Sequence, residues 1–142
     1  MKLLNLNFFI FFLAIVTLVS CAKEETPTVV NDTFVPMDSD SLTLSGTFMS
    51  DVHPTSGTIS VFDDGTEQTI AFEDFKSDNG PDLRVYVSTS LSDNEFIELG
   101  KLTAVSGSFS YKTSSTTDLS KFKNVLIWCE DFDVLFGHAV LK

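Results

Sequence analysis

The chain has 142 residues, with 20 Asp and Glu against 9 Lys and Arg and a formal net charge of −11 at pH 7. A field of that sign repels phosphate backbones and anionic headgroups, so it argues against a nucleic-acid partner and against electrostatic attachment to a membrane surface. Two cysteines and two histidines leave a thin inventory for metal or nucleophilic chemistry.

In chain order, residues 1–20 read as a targeting segment. Lys2 supplies a short positive region, and Phe8 to Val19 (FFIFFLAIVTLV) supply an apolar run too short to span a bilayer comfortably, since spanning needs about 20 apolar residues. The run ends in Leu18-Val19-Ser20-Cys21, which resembles the lipobox of bacterial lipoprotein precursors. That resemblance implies cleavage before Cys21 and lipidation of its thiol and new amino group with acyl chains such as palmitate. Several acyl chains exceed what stable anchoring requires, so the mature protein is expected to sit on a membrane without crossing it. Ala22 stands where an aspartate would resemble an inner-membrane retention signal, and AKEE (Ala22 to Glu25) resembles a surface-export tag. The expected address is therefore the cell envelope, on the outer membrane, facing the periplasm or the exterior. Residues 21–41, with two prolines, many small polar residues and no periodicity, read as a lipidated cysteine and flexible tether.

From Leu42 the hydrophobic period becomes two. LTLSGTF carries Leu42, Leu44 and Phe48; GTISVF carries Ile59 and Val61; DDGT (Asp63 to Thr66) is a hairpin turn; QTIAFEDF carries Ile70 and Phe72. SDNGPDL is a turn leading into LRVYVS, and EFIELGKL, GSFSYK, NVLIWC and DVLFGHAVL complete about eight strands at roughly ten-residue spacing. TTDLSKF makes at most one short turn capped by Thr117 or Asp118. The pattern predicts an all-β domain over residues 42–142, an antiparallel β-sandwich or closely related barrel. Of the 14 phenylalanines, Phe8, Phe9, Phe11 and Phe12 lie in the leader. The remaining ten are enough to make most of a modest core.

The segments FEDFKSDNGPDLRVYVS (Phe72 to Ser88), LGKL (Leu99 to Leu102) and DLSKFKNVLIWCEDFDVLFGHAVL (Asp118 to Leu141) together resemble the DM-thirteen domain family, and HPTSGTISVF (His53 to Phe62) fits its early strand. The resemblance covers roughly Leu42 to Leu141. It implies a β-sandwich-like envelope or extracellular module with a redox or electron-transfer role centred on Cys129, as a bare thiol or as the holder of a prosthetic group such as haem. Trp128 would be its packing or electron-path neighbour. His138 departs from the family's pattern, so no ligand role is carried over to it.

Cys129 keeps two readings. Alternation in NVLIWC places Val125, Ile127 and Cys129 on one face and Leu126 and Trp128 on the other, both apolar, as in a strand buried on two sides. A small core hydrophobe satisfies that pattern; so does a redox or ligating thiol, because an exposed lone thiol in an oxidising compartment is soon capped or cross-linked. With Cys21 lipidated there is no intramolecular disulfide, and Glu130, Asp131 and Asp133 disfavour a further negative charge on sulfur, which argues against a cysteine hydrolase. A metal or haem-iron site would need His53 or His138 beside Cys129, with Met37 or Met49 as an axial ligand for copper; His138 lies nine residues beyond Cys129 on the next strand, which an antiparallel hairpin could place alongside it. The acidic turns Asp63–Glu67 and Ser77–Asp82 lack the ligand order of a calcium loop and read as turns. Two functional classes remain: a redox module, and a noncatalytic envelope module that binds a protein partner or glycan, with the thiol as core.

Overall fold

The structure is a computed structural model that describes residues 26–142. The leader, Cys21 and residues 22–25 lie outside the described residues. Nine strands form among the described residues: β1 (Val30–Asn31), β2 (Ser41–Ser50), β3 (Thr55–Asp63), β4 (Glu67–Ser77), β5 (Leu83–Ser88), β6 (Phe96–Lys101), β7 (Ser106–Ser114), β8 (Asn124–Cys129) and β9 (Val134–Val140). They hydrogen-bond into one sheet in the order β1-β7-β4-β3-β2-β9-β8-β5-β6, curled into a half-barrel. All eight predicted strands are present. Among the described residues no helix is long and apolar enough to cross a membrane.

The curl brings the two halves of the sheet face to face. One apolar cluster draws Ile59, Val61, Ile70, Phe72, Phe75 and Phe109 from β3, β4 and β7, and Leu83, Val85, Val125, Ile127 and Cys129 from β5 and β8. Phe72 is central, with Phe48, Phe75, Phe109 and Tyr111 all within 5.5 Å centroid to centroid. Strict alternation would not put both Phe72 and Phe75 inside, because they are three residues apart. A bulge opposite β7 between them, with Asp74 at φ 49°, supplies the extra residue. Leu42 is a smaller departure: the register of β2 on β3 shifts between Leu42 and Leu44, and Leu42 stays 62% exposed.

Residues 27–34, read above as part of the tether, are built into the domain. β1 runs parallel to β7, with Val30 opposite Gly107 and Asn31 opposite Ser108. The Val105 amide donates to the Pro27 carbonyl (3.0 Å), the Asp32 amide donates to Ser108 O (2.7 Å), and the Phe34 ring lies 5.2 Å from that of Phe62. This docking needs a glycine on β7. Gly107 sits at φ 119°, and a Cβ there would be 1.7 Å from Val30 O.

The turns are held by their own carboxylates. Asp64 Oδ1 accepts from the Thr66 and Glu67 amides at 2.7 Å each, and Asp118 Oδ1 accepts from the Ser120 and Lys121 amides at 3.0 and 3.1 Å. Asp118 is thus the cap of the TTDLSKF turn, with Leu119 buried behind it.

Candidate redox site at the Cys129 end of the sheet

β8 lies between β5 and β9, and all six of its residues are buried. Its side chains divide as their alternation predicts. Val125, Ile127 and Cys129 enter the main core, while Leu126 and Trp128 join Tyr86 and the half-buried Leu135 on the outer face. Cys129 is 0% exposed, a free thiol opposite Leu83 on β5 and Val134 on β9. The ladder continues past it, the Glu130 amide donating to Asp82 O at 3.0 Å. Trp128 is 8% exposed, opposite Arg84 and Leu135. Beside it Tyr86 stacks on Phe96 at 4.1 Å, and its buried hydroxyl has no hydrogen-bond partner among the described residues.

The structure separates His138 from Cys129. The β8–β9 hairpin begins with Cys129 opposite Val134 and Trp128 opposite Leu135, a register that would bring His138 opposite Val125, on the thiol's own face. A bulge at Phe136 then shifts the pairing by one residue: Gly137 faces Ile127, and His138 faces Leu126. A one-residue slip reverses the face of everything beyond it. His138 therefore lies on the outer side with Leu126, where Nδ1 is 2.6 Å from Asp51 Oδ2 and Met49 is its neighbour on β2. His53 is in the β2–β3 loop, its ring stacked on Phe136 at 3.9 Å and its Nδ1 3.1 Å from Asp78 Oδ2. Met37 is 68% exposed in the link before β2, at the opposite end of the sheet. The Cys/His/Met set considered for copper or haem iron is not brought together, and among the described residues no three His, Cys, Asp or Glu side chains are grouped to hold a metal ion.

A haem at Cys129 would need one face of the thiol open to a flat cleft. The sulfur is instead sealed between two cross-strand neighbours in a close-packed core, so the residues as folded do not fit a haem. A cleft of about 250 Å³ is lined by Thr26, Pro27, Asp82, Leu83, Lys101, Leu102 and Thr103. Leu83, which pairs with Cys129, forms part of its wall. Above this wall Arg84 forks to Asp82 (2.7 and 3.1 Å) and reaches Glu98 (2.6 Å). The hydrogen bond from Arg84 holds the Asp82 carboxyl below the usual carboxylate range, and the two acids push the guanidinium's affinity for its proton up. At the cleft's far side the buried Tyr111 hydroxyl accepts from the Thr103 amide (2.8 Å) and donates to Lys101 O (3.0 Å), which ties the β6–β7 loop to the core.

A family model described as "Electron transfer DM13" matches residues 47–141. The chain belongs to the DM13 family. No curated protein and no solved structure matches. The DM13 match spans every strand from β3 to β9 and the last four residues of β2, and so takes in Cys129, Trp128 and both histidines. Alternation found Cys129 and its burial. It could not find Phe136, whose bulge sets the face of His138 and whose ring stacks on His53, or Asp51 and Asp78, which bond the two histidines.

Proposed function

We propose that this DM13 protein is an envelope lipoprotein, anchored through acylated Cys21, whose domain serves electron transfer with Cys129 as its redox-active group and Trp128 as the neighbour through which charge reaches the outer face. The membership in an electron-transfer family carries this reading. The burial of the thiol supports a particular form of it. A sulfur sealed by Leu83 and Val134 is out of reach of bulky nucleophiles and of a second protein's cysteine, so its chemistry is limited to charge moving through the packed core or to opening of the β8–β9 end. The other reading, a noncatalytic binding module in which Cys129 only packs, is favoured by the same 0% exposure.

Two measurements on protein taken from its native envelope separate the readings. The first is a thiol titration and redox titration with and without denaturant. The redox reading expects a reversible change in the folded protein that is lost in Cys129→Ala. A folded protein with no such change, whose thiol reacts only after unfolding, overturns that reading and leaves the packing role. The second is metabolic labelling with palmitate, which fails in Cys21→Ala if the anchor is as proposed.

A further inference from the structure

The docked N-terminal segment fixes which end of the domain the anchor can hold. β1 is parallel to β7, and β7 starts, at Ser106, on the rim where β8 finishes at Cys129; Pro27, bonded to Val105, therefore enters at the Cys129 rim. The same rim carries the Asp51–Pro54, Asp78–Asp82 and Glu130–Asp133 loops. Only residues 22–26 lie between Cys21 and the docked Pro27. Fully extended, that stretch reaches about 20 Å. A strand of the length of β4, with 11 residues, spans about 35 Å, so the opposite rim, with the Thr89–Glu95 loop, cannot come down to the bilayer without stripping β1 from the sheet. An undocked run from Cys21 to Ser41 would have reached about 70 Å and imposed no orientation.

From this, and resting on the anchoring reading above, we infer that the Cys129 rim is a membrane-apposed surface: the domain stands end-on over the bilayer that holds its acyl chains, with the cleft beside Leu83 opening towards the lipid. The rim presents Val52 and Phe132, each 67% exposed, as apolar loop tips. It also carries Asp51, Asp78, Asp82 and the carboxylates around Phe132, so its lipid partner is a zwitterionic surface rather than an anionic one. The consequence for the DM13 domain is that the cleft walled by Leu83, the cross-strand partner of Cys129, faces the membrane rather than the bulk.

The test uses the lipidated protein in phosphatidylcholine vesicles containing headgroup-quencher lipid. Phe132→Cys at the Cys129 rim and Leu91→Cys at the opposite rim are each labelled with one fluorophore; both positions are exposed, and wild type, with Cys129 buried, serves as the unlabelled control. Quenching several-fold stronger at position 132 than at 91 is the expected result. A Gly/Ser stretch of twenty residues inserted after Ala22 should bring the two towards equality. Equal quenching in vesicle-bound protein without the insertion overturns the orientation and leaves the anchor intact. Wild-type protein that does not float with vesicles overturns the anchoring reading and the orientation with it.

Discussion

Replacing Cys129 by serine exchanges a weakly polar sulfur for a hydroxyl of nearly the same shape, in a place with nothing to bond it. The side chain is fully buried, its cross-strand neighbours are Leu83 and Val134, and the rest of its face of β8 is Val125 and Ile127. The backbone groups around it are already engaged in the ladders with β5 and β9. An unbonded buried hydroxyl costs about 2–3 kcal/mol. Cys129→Ala instead removes the sulfur and leaves a small void, at about 1–2 kcal/mol. For a domain of this size those losses lower Tm by roughly 10–15 °C for serine and roughly 5–10 °C for alanine. Unfolding followed by fluorescence of Trp128, the adjacent residue and the only tryptophan, reads both. Serine is therefore expected to be the worse variant. A serine protein as stable as wild type, or more stable than the alanine one, would show a polar partner at the sulfur and refute the account of an apolar, sealed thiol. The ordering also matters for any redox assay: a phenotype of Cys129→Ser alone confounds lost chemistry with lost stability, and alanine is the cleaner control.

Further outcomes follow from the same geometry. Gly137→Ala should destabilise by about 1–3 kcal/mol in denaturant titration, because a Cβ would lie 2.4 Å from the Thr55 side chain and 2.7 Å from Met49 O. Tyr111→Phe should cost about 1–3 kcal/mol, since it removes the acceptor of the Thr103 amide, and amide exchange at Thr103 should accelerate. Tyr86→Phe should instead raise stability by about 1 kcal/mol, because the deleted hydroxyl is buried without a partner. Acid should destabilise the fold: Asp82 is held low chiefly by its hydrogen bond from Arg84, and Asp64, Glu95 and Asp118 by theirs from Thr66, Lys121 and Ser120. A depressed folded value gives stability that is present above the unfolded carboxylate range, near pH 4, and is lost as pH falls through the folded value. Urea midpoints should therefore drop on acidification below that range, and less steeply in Asp82→Asn.

The amino-acid sequence by itself determined the strands, their turns and the two-sided burial of β8. Those features depend on local chemistry: period-two apolar runs, Asp-Gly turns, and NVLIWC with no polar side chain after Asn124. It also singled out Cys129 and the family to which the chain belongs. What only the tertiary structure decided are relations between distant residues. Val30 and Asn31 looked like tether because a two-residue strand has no period to read, and their partner is a glycine 77 positions away, Gly107, whose missing Cβ makes the contact possible. His138 looked like a possible neighbour of Cys129 because a hairpin can bring the next strand alongside; the register that starts at the Cys129–Val134 pair carries it away along β8, and one bulged residue, Phe136, turns it to the other face. That extra residue is specified by long-range packing, with the Phe136 ring under His53 and against the Gly80 turn, and no local pattern in DVLFGHAVL records it.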